Sequence, residues 1–189
     1  MKTVSIEIQG ITPLLIRRFG EEAEQKGNTR RVEIQRATPR EQAKKSAYIA
    51  KDGTFYFSAA SIPGCMKNAG ANHKSIGSRK SLRFVVPSAV SMMTDSVTIL
   101  NAKGPAKDFE VDSRPVTIPA TKGRVMRHRP RFDRWSAKFE LLIDDSLLSV
   151  ETAHQLLNEA GMSYGIGDFR PEKGGPFGRF RVVKWKEKS

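Results

Sequence analysis

The sequence predicts an α+β protein, and three observations carry that prediction. Val4, Ile6 and Ile8 alternate with Ser5, Glu7 and Gln9, the period-two pattern of a strand with one buried face. Two later stretches, Ile62 to Gly70 and Val150 to Ala160, place apolar or small residues at helical spacing. The chain closes on Phe180 to Trp185, which alternates again and sets Phe180 and Val182 on one face and Arg181, Val183 and Trp185 on the other.

The first strand ends at Gly10 and the Thr12-Pro13 break. From Arg17 to Ala47 apolar residues are sparse, charges of both signs dominate, and Gly20, Gly27 and Pro39 interrupt any continuous helix, so this segment reads as a mobile excursion from the core. Its last part, Pro39 to Ser46, suits a short helix with proline in the first turn. Asp52-Gly53 is a turn signal between Ala47-Tyr48-Ile49 and Thr54-Phe55-Tyr56-Phe57, which predicts a small hairpin. Ser61 is placed to cap a helix that starts at Ile62-Pro63 and presents Met66, Ala69 and Gly70 as a small-residue face to a sheet. After a polar, basic loop, Arg83 to Leu100 is β-prone, with a bend near Thr94 to Ser96. Phe109, Val111, Val116 and Ile118 repeat the pattern, so the two regions are expected to form an extended hairpin. Gly123 to Arg134 reads as a proline-interrupted basic segment, followed by a strand with Ala137, Phe139 and Leu141 on one face. Ser149 precedes the late helix and Gly161 is expected to end it. The resulting order of strand, helix, strands, helix, strand fits a β-α-β-β-α-β ferredoxin-like core with insertions.

Composition narrows the function. The chain has 189 residues, with 33 Lys and Arg against 20 Asp and Glu and a net charge of +13, which excludes an acidic binder and favours a polyanion such as nucleic acid. No apolar run approaches the ~18 residues of a membrane span, and Met1-Lys2 leads directly into the first strand without a signal sequence. The lone Cys65 can form neither an internal disulfide nor a cysteine-rich zinc site, which points to a reducing cytoplasm.

Three constellations stand out. Between Lys122 and Lys138, Arg127, Arg129 and Arg131 alternate, so they share one face of an extended segment, and His128, Phe132 and Trp135 are interleaved with them. Arginine forks match phosphate oxygens, while Phe132 and Trp135 are assigned to the core. A second basic run holds Lys67, Lys74, Arg79, Lys80 and Arg83 without any acid, and beside the first it suggests one continuous groove. The third is the loop Gly165 to Phe180, whose five glycines (Gly165, Gly167, Gly174, Gly175 and Gly178) permit positive φ and close approach of the backbone to another chain. It follows a helix and opens a strand, the reverse of a dinucleotide-binding fingerprint.

This loop before a C-terminal strand resembles the signature of the repeat-associated mysterious protein (RAMP) superfamily, the RNA-binding subunits of CRISPR effector complexes. Val4-Ser-Ile-Glu-Ile-Gln-Gly-Ile-Thr-Pro13-Leu-Leu and Phe57-Ser-Ala-Ala-Ser-Ile-Pro63-Gly64, leading into a helix with Lys67, are also similar to that superfamily, in particular to its backbone subunits. The resemblance implies a single RAMP-like domain over 1–189, with an RNA-recognition-motif-like palm and insertions at about 17–47 and 82–118. It further implies phosphate-facing positions at Arg17, Arg18, Lys67, and the loop of Gly165, Gly167 and Arg170. The implied partners are a single-stranded guide RNA, other CRISPR effector subunits and further copies of the chain along the RNA. At 189 residues the chain is short for a backbone subunit, which leaves open a compact version or a mobile-element relative.

Catalysis has weaker support. The excursion has glutamates but no aspartate to match the acidic site of target-cutting backbone subunits. His73 and His128 lie among basic residues, where a general acid would serve 2′-hydroxyl attack, and they are the candidates for a metal-independent endoribonuclease; His154 sits on the late helix. Asp144, Asp145 and Asp168 are read as turn and cap residues. No P-loop, paired-histidine metal helix or nucleophile elbow is present, and no cofactor or metal is implied. The sequence therefore favours an RNA-binding subunit without turnover. An endoribonuclease and a mobile-element single-stranded nucleic-acid binder are the alternatives.

Overall fold

The computed structural model describes residues 1–18, 37–75, 77, 79–117 and 122–188. In chain order the elements are β1 (Lys2–Gly10), β2 (Leu14–Leu15), α1 (Pro39–Lys45), β3 (Tyr56–Ser58), α2 (Ser61–Ala69), α3 (Val86–Ala89), β4 (Val90–Met92), β5 (Ser96–Thr98), β6 (Leu100–Asn101), β7 (Gly104–Pro105), β8 (Glu110–Thr117), β9 (Arg124–Phe132), β10 (Ser136–Ile143), α4 (Val150–Ser163) and β11 (Phe180–Glu187).

The main sheet runs β11-β1-β10 and continues through β6 and β7, with β4 also paired to β10. Taking β1, α2, β4, β10, α4 and β11 in order gives a β-α-β-β-α-β core whose strands lie β11-β1-β10-β4, which is the ferredoxin-like arrangement. Register explains the core. Val4, Ile6 and Ile8 face Leu141, Phe139 and Ala137 across β1 and β10, and all six are buried. Both helices cover this face, burying Ile62, Met66, Ala69, Leu156, Leu157 and Ala160. A second sheet, β2-β9-β8, carries the arginine strand, and β3 pairs with β5 in a third. Among the described residues no helix is long and apolar enough to cross a membrane.

Several sequence expectations change. Residues 82–89 are not a strand: a 3-10 turn at Leu82–Phe84 follows Ser81, whose hydroxyl accepts from Arg83 N–H at 3.3 Å, and Pro87 falls in the first turn of α3. Cap chemistry overrides the β-prone composition there. The extended hairpin between the two β-prone regions does not form, because β4 pairs with β10, β5 with β3, and β8 with β9. The proline-interrupted segment is itself a long strand, β9, in which the Pro130 carbonyl still accepts from Ile16 N–H at 3.1 Å. The small hairpin at Asp52-Gly53 does form, short as expected, with Ala50 N–H donating to Thr54 O at 2.9 Å and Tyr56 N–H to Tyr48 O at 3.2 Å on either side of the Ile49–Phe55 bridge. Ser61 opens α2 from inside the helix rather than capping it, and the helix packs on α4 and Leu82 rather than on a sheet alone. The late helix continues through Gly161, where a Cβ would lie 2.3 Å from the Phe180 carbonyl, so this glycine serves helix–strand packing.

The last strand also departs from simple alternation. Glu7 pairs with Lys184 but Ile8 pairs with Val182, so Val183 is bulged out and 47% exposed. The extra residue returns Trp185 to the face of Phe180 and Val182, where it stacks on His154 of α4 at 4.6 Å. Of the expected excursion at 17–47, residues 19–36 lie outside the described residues, as do 118–121, which include Ile118. The described end of the excursion forms α1 as predicted, with a capping box between Thr38 and Glu41.

Candidate nucleic-acid interface

The glycine-rich loop is laced to the β1–β2 turn. Ile166 N–H donates to Gly178 O at 3.0 Å, Gly178 N–H to Pro13 O at 2.8 Å, and Asp168 N–H to Leu15 O at 2.7 Å. Gly167 has φ +82°, and a Cβ there would lie 2.4 Å from Leu15 O; Gly178 has φ +73° and would place one 1.8 Å from Ile166 O. The backbone that approaches these glycines is the chain's own. Arg170 braces the loop, donating to Glu172 from Nε at 2.9 Å and to the Gly167 carbonyl from Nη1 at 3.0 Å. Between Gly167 and Arg170, Phe169 is held at φ +49°, a left-handed conformation that costs a non-glycine residue about 1–2 kcal/mol.

So fixed, the loop forms one wall of a groove of about 410 Å³. The end of β2 supplies Ile16 and Arg17, the segment before α2 supplies Phe57, Ser58 and Ala60, and α2 itself adds Ser61, Gly64, Cys65, Lys67 and Asn68. Tyr48 closes the side, and Gly165, Ile166, Gly167, Asp168, Arg170 and Glu172 come from the loop. Arg17, Lys67, Gly165, Gly167 and Arg170, distant in sequence, therefore meet at one place. The Cys65 thiol donates to Ile62 O at 3.1 Å, and burial pushes its pKa up to about 12, so it is a neutral wall rather than a nucleophile.

The arginine strand abuts this groove through the loop. Arg129 is only 5% exposed and lies 2.7 Å from Asp168 Oδ2 and 3.8 Å from Asp112 Oδ2. The contact with Asp168 is close but its N–H is not aimed at the oxygen, so it acts as an ion pair rather than a formed hydrogen bond. Asp168 is thus more than a turn residue: it ties β9 to the loop. Arg127, on the same face of β9, differs. Its Nε is buried without a hydrogen-bond partner among the described residues. Burial pushes its guanidinium below the ordinary arginine range, the Arg17 and Arg129 cations add to this, and Asp168 opposes it. A half-buried cation beside two others, only partly offset by Asp168, is an electrostatic arrangement that an anion would relieve.

Known proteins sharpen the picture. No protein-family model and no curated protein sequence matches the chain. Among solved structures, a chain in the cryo-EM structure of the type III-B Cmr-beta bound to cognate target RNA superposes with TM-score 0.55 over 98% of this chain, at 12% identity. The chain has the fold of a Cmr-beta subunit. It spans 60% of that subunit's length. Cmr6 from Pyrococcus furiosus is matched over 95% of this chain and 97% of its own, with TM-score 0.49 and 9% identity. The resemblance to CRISPR RAMP subunits read from the sequence holds at the level of the fold.

Within this Cmr-type fold the other predicted residues are dispersed. Lys74, Arg79 and Lys80 are exposed on a loop closed by the Lys74–Ser81 bridge and do not line the groove. Arg18 is exposed beside Arg17, and its N–H donates to Ser46 O at 2.7 Å. Arg131 Nε is paired with Asp133. His73 bonds Glu159 of α4 through Nε2, and His128 Nδ1 lies 2.7 Å from Ser113 Oγ; neither lines the groove. Phe132 and Trp135 are buried, and Trp135 donates from Nε1 to Thr12 O at 2.9 Å. The open face of the main sheet carries Ser5, Glu7, Gln9, Lys138 and Glu140 without an aromatic platform, unlike an RNA-recognition-motif surface. Sequence reasoning missed Tyr48, Ser58, Ser61 and Asn68. Ser58 and Ser61 lie inside the quoted Phe57 to Gly64 motif and Asn68 adjoins Lys67, so extending the phosphate-facing set to polar neighbours would have found those three.

Proposed function

We propose that this protein is a RAMP-type, RNA-binding subunit of a CRISPR effector ribonucleoprotein, gripping single-stranded guide RNA through its phosphates with little regard to sequence. The observation that carries the proposal is the convergence of Arg17 and Lys67 on the groove. Neither cation has a hydrogen-bond or ion-pair partner among the described residues, and the unsatisfied Arg127 stands beside Arg17. The Cmr-type fold and a net charge of +13 support the same reading. Arg129 and Arg170 have a different part: they hold the groove's loop in place. In the proposed assembly, other effector subunits and further copies of the chain lie along the same RNA.

The test is fluorescence anisotropy with several unrelated single-stranded RNAs. Lys67→Ala combined with Arg17→Ala weakens binding to all of them alike, by roughly tenfold or more, because each removed contact serves a phosphate rather than a base. Unchanged affinity, or a loss confined to one sequence, overturns the proposal. Purification before and after ribonuclease treatment adds a second readout, with co-purifying RNA in a large ribonuclease-sensitive particle as the expected result.

A further inference from the structure

We infer that the turn Leu82–Phe84, with the basic loop before it, is a second single-strand binding site, in which an unpaired nucleobase stacks on the Phe84 ring and the neighbouring phosphates lie on Lys74, Arg79 and Arg83. The site lies outside the groove, since none of these four residues lines it. It goes beyond the proposed function and stands or falls independently of it.

Phe84 is 65% exposed, and among the described residues it is the one phenylalanine, tyrosine or tryptophan that is exposed rather than buried or half-buried. A lone exposed apolar side chain needs no explanation. The surroundings of this one do. Between Asp52 and Asp95 the chain holds no acidic residue, while Lys74, Arg79, Lys80 and Arg83 are all exposed. The acid that reaches this region from α4, Glu159, is occupied by His73 Nε2 at 2.5 Å. Hydrogen bonds draw the cations and the ring together. Leu82 N–H donates to His73 O at 2.9 Å, Ser75 N–H to Lys80 O at 2.8 Å, and Phe84 N–H to Ser81 O at 3.1 Å, while Lys74 forms a bridge with Ser81.

The same turn is anchored on the end of α2. Ser81 Oγ donates to Gly70 O at 2.9 Å, and Leu82 is buried against Gly70, where a Cβ would lie 2.9 Å from the Leu82 carbonyl carbon. The backbone that presents the ring is therefore fixed before a ligand arrives, which lowers the ordering cost of binding. A ring set among cations suits a single strand, because every base has a face to stack and phosphates on either side. A protein partner fits less well, since charged residues, lysine among them, are depleted at the cores of protein interfaces.

The unpaired base comes either from the RNA that leaves the groove or from a separate strand, RNA or DNA, and photocrosslinking distinguishes these sources. Single-stranded oligonucleotides of both kinds, each carrying one 5-iodouracil, are irradiated with the full chain and with its Arg17→Ala, Lys67→Ala double variant, and the crosslinks are mapped by peptide mass spectrometry. A crosslink at Phe84 is expected. Its loss in the groove variant identifies RNA leaving the groove, and its persistence there identifies a separate strand. Phe84→Leu is expected to abolish the crosslink and lower affinity about tenfold, with the urea midpoint unchanged because the ring is exposed. Phe84→Tyr, which keeps the ring, retains binding. Lys74→Ala with Arg83→Ala is expected to reduce the salt slope by about 0.7 for each cation removed. Unchanged affinity in Phe84→Leu, with no crosslink at Phe84, overturns the site, assigns the exposed ring to a protein contact and leaves the groove reading in place. Unchanged affinity in the groove variant, with Phe84→Leu still weakening binding, overturns the groove reading and leaves this site standing.

Discussion

Arg127 and Arg129 stand two residues apart on one face of β9, yet their surroundings assign them opposite tasks. Arg129 is buried between Asp112 and Asp168, so removing it leaves Asp168 without its ion-pair partner, while Asp112 keeps the Arg114 Nε at 2.8 Å. Losing such a partly buried partner costs about 1–3 kcal/mol. Arg129→Ala is therefore expected to lower the urea midpoint clearly, and its effect on RNA binding follows from a displaced loop. Arg127 has no ion-pair partner among the described residues, and its pKa is depressed by burial and by Arg17 and Arg129 despite the opposing charge of Asp168. Arg127→Ala is expected to leave stability within about 0.5 kcal/mol while weakening RNA binding and reducing the salt slope by about one. If Arg127→Ala destabilises as strongly as Arg129→Ala, Arg127 is structural and its place beside the groove is incidental. The alternation of these arginines was legible in the sequence. Their division of labour was not, because Asp112 and Asp168 reach Arg129 from β8 and the glycine-rich loop, and no local pattern encodes such distant partners.

At the scale of elements, the loop and α2 make separable predictions. Gly178 combines φ +73° with a Cβ position 1.8 Å from Ile166 O, so Gly178→Ala is expected to cost more than about 2 kcal/mol by chemical denaturation. Gly174 has nearly the same φ, +74°, but open space around it, so Gly174→Ala is expected to cost only about 1 kcal/mol. Equal costs would mean that backbone conformation, rather than packing of the loop on itself, sets the glycine requirement. Within α2, Gly64 has an ordinary φ and nothing within 4 Å of its Cβ position, yet it lines the groove. Gly64→Ala is expected to stabilise the protein by about 0.5–1 kcal/mol and to weaken RNA binding by narrowing the groove, two readouts moving in opposite directions. The elements that were legible in the sequence are those with a clean period and one buried face: β1, β10, α4 and the start of β11. What was hidden is instructive. The turn and helix at 82–89 depend on Ser81 and Pro87 outweighing β-branched neighbours, the bulge at Val183 depends on pairing with β1, and the partner of β8 is a matter of long-range pairing that alternation leaves undetermined.

For the whole molecule, charge governs both stability and binding. Glu41, Asp52, Asp108 and Asp144 all titrate below their ordinary range, chiefly through hydrogen bonds from Thr38 N–H, the Thr54 hydroxyl, Phe109 N–H and the Ser146 hydroxyl respectively. A depressed carboxylate contributes stability that is present above its unfolded pKa and is lost as pH falls through the folded value. With ordinary values of 4.5 for Glu and 3.8 for Asp, the urea midpoint is expected to hold from neutrality down to about pH 4.5 and to fall only below it. These groups are exposed, so the change is shallow. Binding asks a sharper question, whether RNA responds to the net charge of +13 or to where the charges sit. Arg17 and Lys67 line the groove, whereas Lys184 and Lys186 are exposed on β11, an edge strand away from it. Replacing either pair with glutamate changes the net charge by the same amount, so a diffuse field would respond equally to both. A contact site would not: phosphates neutralised at the groove release counterions, and each one lost removes about 0.7 from the slope of log affinity against log salt on a single strand. Arg17→Glu with Lys67→Glu is therefore expected to flatten the salt dependence of RNA binding by more than one unit and to lower affinity strongly. Lys184→Glu with Lys186→Glu is expected to slow association at low salt while leaving affinity at physiological salt within about threefold, since exposed charges beyond about 8 Å are largely screened there. Equal losses from the two pairs, measured by anisotropy across a salt series, would assign binding to the overall field and remove the groove from the account.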